Sequence, residues 1–151
     1  MIGVISDTHG LLRPEAIEAL RGSEHIIHAG DVGALEILVQ LARLAPLTVI
    51  RGNVDKGVWT RKLPETELVE IAGVTIYVVH DLGTLDVKPE AAGINVVIYG
   101  HSHVPKIDTR NGVLYFNPGS AGPRRFRLPI TVGKLTLERR NVRGEIAQII
   151  D

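Results

Sequence analysis

The run Val97-Ile98-Tyr99-Gly100-His101-Ser102-His103 closes an apolar segment with a glycine and then presents two imidazoles two positions apart. In an extended chain, residues i and i+2 point to the same side, so both rings can face one point. Two surface histidines look the same when taken alone. Four other apolar runs, however, end in residues of similar chemistry. Ile2–Ser6 leads into Asp7-x-His9, His25–Ala29 into Gly30-Asp31, Leu47–Ile50 into Gly52-Asn53, and Val74–Val79 into His80. Asp7, His9, Asp31, Asn53, His80, His101 and His103 are therefore candidate metal ligands, each following a predicted strand. Ligands of open α/β sheets sit outside the carboxyl ends of the strands. The seven are thus expected to gather at one edge of one sheet.

Imidazole and oxygen ligands together favour manganese, iron, zinc or nickel over calcium and magnesium, which prefer oxygen alone. Manganese leads this list as the expected metal. Seven ligands exceed what one such ion takes. They suit two divalent ions, about 3.5–4 Å apart, that share a bridging carboxylate. Two such ions outweigh the charge of two aspartates, and the excess attracts a phosphate ester and stabilises charge growing on its oxygens. A water between the ions loses a proton near neutral pH and becomes a nucleophile.

The elements that must position these residues alternate at first. After the strand Ile2–Ser6, the spacing predicts a helix over Arg13–Arg21 with Ile17 and Leu20 facing inward. A second strand spans His25–Ala29. A helix over Ala34–Leu44 follows, with Leu35, Leu38, Val39 and Ala42 as its apolar stripe, and then a third strand, Leu47–Ile50. Such β-α-β-α-β order marks a parallel sheet. A hairpin comes next, Glu67–Ile71 with Val74–Val79, followed by a short helix over Asp86–Ala92 and a strand over Ile94–Tyr99. Pro105–Arg110 and Val113–Phe116 form a second hairpin through Asn111-Gly112. Ile130–Val132, Lys134–Arg140 and Glu145–Ile150 read as a C-terminal antiparallel meander, an edge at which Leu135, Leu137 and Ile146 can either close the sheet or pair two copies as a homodimer. The class is α/β with mixed sheets, in one domain over residues 1–151.

Composition narrows the function. Lys plus Arg and Asp plus Glu are 17 each, so no bulk field draws long nucleic acid or an anionic membrane. The absence of cysteine excludes thiolate metal sites and cysteine nucleophiles. No apolar stretch reaches the roughly 18 residues of a membrane span, and Met1–Ser6 is too short for a signal peptide. A cytoplasmic location is expected, with a small phosphate ester as substrate.

In this order, Asp7-x-His9, Gly30-Asp31, Gly52-Asn53-x-Asp55, His80 and Gly100-His101-x-His103 resemble the motifs of the calcineurin-like metallophosphoesterases. The short chain and Asn117-Pro118-Gly119-Ser120 resemble their small YfcE/MJ0936-like phosphodiesterase branch. The resemblance implies a four-layer α/β/β/α sandwich and two metals. It places Asp7, His9, Asp31 and His103 on the first ion, with Asp31 bridging to a second held by Asn53, His80 and His101. A metal-bridging hydroxide would attack phosphorus while Asn53 and both ions hold the non-bridging oxygens, giving Asp31, Asn53 and His80 catalytic roles. Other readings are a non-catalytic scaffold of the same fold, like the retromer subunit, and a nucleotidase or nuclease.

Two positions depart from the family. Val54 stands where many larger members carry a histidine thought to assist the leaving group, and Asp81 follows His80 where glycine is common. Asp55 is read as a loop-fixing carboxylate that can also stand in as proton donor, and His28 as a structural or supporting histidine. Asn117–Ser120 is either a turn that aims backbone groups at the metals or a purely structural one. Arg124 and Arg125, with Arg127, lie in the long loop Asn117–Pro129 and offer contacts to substrate phosphate, with a solvated loop or subunit contact as the alternatives. Trp59 and Phe126 are read as core residues before interface residues.

Overall fold

The computed structural model describes residues 1–138 and 141–151. Its elements run β1 (Ile2–Ile5), α1 (Pro14–Leu20), β2 (His25–His28), α2 (Leu35–Ala42), β3 (Leu47–Val49), β4 (Thr66–Ile71) and β5 (Val74–Val79), then β6 (Val96–Ile98), β7 (Lys106–Arg110), β8 (Val113–Asn117), β9 (Ile130–Glu138) and β10 (Asn141–Ile150). One sheet has the order β10-β9-β1-β2-β3 and the other β4-β5-β6-β8-β7. Strands β1, β2 and β3 run parallel, as do β5, β6 and β8.

Period-2 alternation decides the layering. Ile2 and Val4 of β1 face the other sheet, where Ile76, Val78, Val96, Ile98 and Phe116 meet them. Ile5 points the opposite way and packs with Ala16 and Leu20 of α1 and with Ile37, Leu38 and Leu41 of α2. The outer face of the second sheet buries Val97, Tyr99, Val113 and Tyr115 beneath Leu82 and Leu85. Both sheets are mixed, in keeping with the α/β sandwich. Over the second sheet, the outer layer consists of turns. Among the described residues, no helix is long and apolar enough to cross a membrane.

Several details differ from the sequence-based expectations. In α1 the buried residues are Ala16 and Leu20, and Ile17 is only partly covered. In α2 the buried face is Ile37, Leu38 and Leu41, while Leu35 and Val39 are exposed. A stripe drawn through Leu35 and Val39 is rotated from this face, because Ile37 heads the buried ridge. The segment Asp86–Ala92 is no helix. The amides of Ala91 and Ala92 both reach the Lys88 carbonyl in a single turn, and a 3₁₀ turn lies at Leu82–Thr84. Between Pro89 and Gly93 there is too little chain for a stable helix nucleus. The hairpin turn Asn111-Gly112 has φ of 50° and 78°, as a two-residue loop requires.

The expected three-strand meander is a two-strand hairpin. Residues 130–138 form one unbroken strand through Gly133; residues 139 and 140, the predicted end of the Lys134–Arg140 strand, lie outside the described residues. Gly133 is not a break. The Phe116 ring, fully buried, lies against the bare Cα atoms of Gly133 and Gly144, where any Cβ would run into it. Leu135 on the same face is buried too, with Leu137 and Ile146 packed against the inter-sheet core. These side chains close the sandwich, the first of the two roles open to this edge.

Gly133→Ala should therefore lower unfolding stability by about 1–3 kcal/mol through overpacking against Phe116, read from the urea midpoint. In the Gly133→Ala background, Phe116→Leu should recover part of that loss. Strictly additive losses would show that ring and glycine do not interact.

Candidate metal centre

The candidate ligands do meet, but not at the edge of one sheet. Asp7 and His9 follow β1, Asp31 follows β2 and Asn53 follows β3 in the first sheet; His80 follows β5, and His101 and His103 follow β6 in the second. The centre lies where the carboxyl ends of two parallel strand sets face each other across the sandwich. The chain must turn sharply there to aim side chains inward. Asp7, His9, Asp31, His101 and His103 all adopt left-handed backbone, with φ of 56°, 46°, 56°, 71° and 64°. Among the described residues only eight non-glycine residues do so, and such conformations cost of order 1 kcal/mol or more each. Nothing in composition or periodicity announces this.

Asp7 is the hub. Its side chain is fully buried. Oδ2 accepts hydrogen bonds from Ser6 Oγ at 2.8 Å and from the His101 amide at 3.2 Å. Oδ1 accepts none, yet His9 Nε2 lies 3.8 Å away, His80 Nε2 3.9 Å and His103 Nε2 3.5 Å. Asp31 Oδ2 is 3.1 Å from His80 Nε2 and 3.6 Å from His9 Nε2. Gly100 permits this approach, since a Cβ there would stand 2.7 Å from Asp7 Oδ2 and closer still to Ser6 Oγ. Asp7, His9 and His103 thus offer ligand atoms within 4.8 Å of one another, and so do Asp7, Asp31 and His80.

These atoms fit a metal better than they fit each other. His80 Nδ1 lies 2.7 Å from the Ala29 carbonyl, which can only accept, so Nδ1 carries the proton. On the neutral ring, Nε2 then presents a lone pair to two carboxylates. Only a proton or a cation between them makes that arrangement favourable. Of the five buried side-chain polar atoms without a partner among the described residues, four are Asp7 Oδ1, His9 Nε2, His80 Nε2 and His103 Nδ1. The only basic side chains at ion-pair distance from Asp7 or Asp31, among those described, are histidines.

The local fields follow from this. Burial disfavours a charged His80 ring, but the Asp31 contact, the Ala29 carbonyl and the charges of Asp7 and Asp31 outweigh it and raise its pKa. Burial pulls the Asp31 carboxyl upward, while His80, the Val54 amide and His9 together bring it below the ordinary value. Burial depresses His103, and Arg125 and His9 add to the effect.

Supporting residues hold the loops in register. Asp55 accepts from the amides of Val32, Gly33 and Gly52 at 3.1, 3.0 and 2.9 Å, which fixes the loops that carry Asp31 and Asn53. The loop-fixing reading of Asp55 thus stands, and its oxygens are taken up. His28 is buried and neutral. Its Nδ1 accepts from the Gly30 amide, so Nε2–H donates to Thr8 Oγ1, which donates on to the Val32 carbonyl. Asn117 donates to the Gly100 carbonyl and to Ser102 Oγ, and Ser120 Oγ donates to the Asp7 carbonyl. The Asn117–Ser120 turn therefore staples two ligand loops together and acts structurally. Ser6, Thr8, Ser102 and Ser120 escaped sequence reading. The adjacency of the first three to motif residues, and the place of Ser120 in the Asn117–Ser120 turn, were the only hints of these roles.

The remaining sites lie at the mouth. Asn53 and His101 are exposed, with Asn53 Oδ1 3.3 Å from His101 Nδ1. Asp81 Oδ1 caps the turn at Gly83, and Oδ2 stands 4.0 Å from His101 Nε2. The Val54 side chain is exposed while its amide binds Asp31 Oδ1. A cleft of about 450 Å³ opens beside His80, Asn53 and His101. Arg124 is not brought to it; its guanidinium bonds the carbonyls of Leu128 and Asp151. Arg125 lies near enough to act on His103. Trp59 packs into the helix-side core, but Phe126, expected in the core, is 89% exposed.

Comparison with known proteins bears on the family and the fold. The model of the calcineurin-like phosphoesterase superfamily domain matches residues 1–140. The chain is 37% identical to the probable metallophosphoesterase MJ0623 of Methanocaldococcus jannaschii over 152 residues, covering 91% of this chain and 76% of that one. A solved structure described as a novel archaeal phosphodiesterase superposes with a TM-score of 0.80 at 27% identity, covering 97% of this chain and 99% of the other. Vps29 of Entamoeba histolytica, solved with zinc, shares the fold with a TM-score of 0.76 at 21% identity and covers 99% of both chains.

The buried His28 ring has a pKa lowered from 6.5 to about 4, chiefly by burial. Between those values the unfolded chain binds a proton that the folded chain refuses. The contribution is therefore complete above the unfolded value and is lost as pH falls toward 4, by on the order of 3 kcal/mol. His28→Asn keeps an acceptor for the Gly30 amide and should flatten the dependence of urea-unfolding stability on pH across this window, measured on metal-free protein. Equal slopes for the two proteins would contradict a neutral His28.

Proposed function

The chain belongs to the calcineurin-like phosphoesterase superfamily, and from that premise we propose that it hydrolyses phosphodiesters at a centre of two divalent ions. One observation carries the reading. The buried Asp7 Oδ1 has no hydrogen-bond donor and three histidine nitrogens around it, an arrangement that calls for cations. We assign Asp7, His9, Asp31 and His103 to one ion. Asp31, Asn53, His80 and His101 go to the other, with manganese first among manganese, nickel, iron and zinc. When bound, the ions supply positive charge to the phosphoryl oxygens and bring the pKa of a water toward neutrality.

The chain's own residues bind, aim and exclude. Asn53, exposed at the mouth, would hold a non-bridging oxygen through its amide. Ala29 fixes the His80 tautomer so that Nε2 faces the carboxylates. Val54 cannot protonate a departing alkoxide, and Asp55 is committed to three amides. Substrates that need little help with the leaving group therefore suit the site. The cleft of about 450 Å³ suits a small ester. All seven ligand types are retained and brought together, which favours catalysis over a scaffold role.

Metal-stripped protein should regain cleavage of a chromogenic phosphodiester, in preference to its monoester, when manganese, nickel or zinc is added back singly, with magnesium restoring least. Both His80→Ala and Asn53→Ala should lower the restored rate by roughly 100-fold or more. His80→Ala should also reduce bound metal from two equivalents toward one. Two equivalents bound with no hydrolysis under any ion would transfer the assignment to a scaffold, and activity that survives both substitutions would refute the roles given to Asn53 and His80.

A further inference from the structure

The cleft beside the centre carries a charge pattern that the proposed hydrolysis does not explain. Its base is His80, 6% exposed, whose Nε2 turns to Asp31 Oδ2 at 3.1 Å and belongs to the metal centre. Its walls include Arg51, Glu65, Tyr77, Asp81 and Asp86. Arg51 is spent on Glu65, at 2.8 Å. Asp81 has only His101 at ion-pair distance, and Asp86 has no partner among the described residues. A group entering the cleft thus meets two carboxylates and the half-buried ring of Tyr77, with no uncommitted Lys or Arg. Asp81 is held in place by its bond to the Gly83 amide, so its second oxygen is presented at fixed geometry.

We propose that this cleft receives the ester group retained on phosphorus and selects one bearing a positive charge, so that the substrate class is a phosphodiester of an amino alcohol. The inference rests on the phosphodiesterase reading above. The phosphate monoanion is drawn to the metal centre, while an ammonium a few bonds away meets Asp81 and Asp86 and can lie over the Tyr77 ring. A carboxylate or a second phosphate at the same place meets like charge. The retained group is the better occupant, because neither Val54 nor the committed Asp55 supplies a proton to an alkoxide expelled there.

Three matched esters test this: the 2-aminoethyl, propyl and 2-carboxyethyl p-nitrophenyl phosphates, with kcat/KM measured on metal-loaded protein. The expected order is amine, then neutral, then acid, with steps on the order of tenfold, the scale of one or two partly exposed ion pairs. Because the order is read within each protein, it is independent of overall rate. It should collapse in the Asp81→Asn/Asp86→Asn double variant and weaken in Asp86→Asn alone. A binding measurement runs in parallel: ethanolamine, but not n-propanol, should shift the NMR amide signals of Tyr77, Thr84 and Asp86 in the native chain and not in the double variant. Equal kcat/KM for the three esters, or an order unchanged in the double variant, overturns the cleft assignment and leaves the phosphodiesterase reading intact. No hydrolysis of any ester overturns that reading; ethanolamine shifts confined to the cleft then still support its charge selectivity, and their absence removes it.

Discussion

The buried charge of Asp7 is the constraint on which the rest of this structure depends. A carboxylate withdrawn from water costs several kcal/mol unless it is paired and hydrogen-bonded. One oxygen of Asp7 is satisfied by Ser6 and by the His101 backbone, which joins the first sheet to the second. The other is left to three histidines from three separate strand ends. Neutral imidazole satisfies a carboxylate only through an N–H, and the His80 tautomer is fixed with its N–H turned away. The chain has therefore placed a charge that only a proton or a cation among these nitrogens neutralises.

That arrangement explains the backbone around it. Extended strands point alternate residues to opposite faces, so a strand that simply continued would send only some of its ligand residues into the gap between the sheets. Left-handed conformations at Asp7, His9, Asp31, His101 and His103 turn the chain within one or two residues and redirect the side chains. Each is disfavoured alone and persists because its surroundings over-determine it. Here the surroundings are hydrogen bonds that Asp55 and His28 accept from backbone amides, and that Asn117 and Ser120 donate to backbone carbonyls, of the ligand loops. These side chains touch no ligand atom, yet they hold the loops from relaxing.

The fold was legible wherever one residue type carried one consequence. Strands β1, β2, β3 and β5 and the Asn111-Gly112 hairpin follow from apolar runs ended by turn residues, and the ligands follow from what stands at the strand ends. The distribution of those strands over two sheets came only with the family resemblance and not from the spacing, because parallel and facing strand ends look alike along a chain. Gly133 misled for a related reason. A glycine within a strand pattern signals either a break or a close approach, and only the partner, Phe116 from the other sheet, distinguishes them. The buried stripe of α2 was misplaced because Leu35, Ile37, Leu38, Val39 and Leu41 are all apolar, so several faces compete. The bonds made by Ser6, Thr8 and Ser120 were not legible because their roles depend on which loops meet.

Access divides the centre, and the division bears on how it can work. Asp7, Asp31, His80 and His103 are buried, while Asn53 and His101 are exposed beside the cleft. The closed side is held by charge and backbone hydrogen bonds, so its ligand atoms keep their geometry without a substrate. The open side is built from a neutral amide and a histidine that contact each other at 3.3 Å, a weak interaction that costs little to exchange. On the proposed reading, a phosphoryl oxygen arriving from the cleft would meet Asn53 and His101 first and the buried candidate ligands behind them. The order of burial therefore sets a direction of approach, from the exposed side of the centre to the closed one.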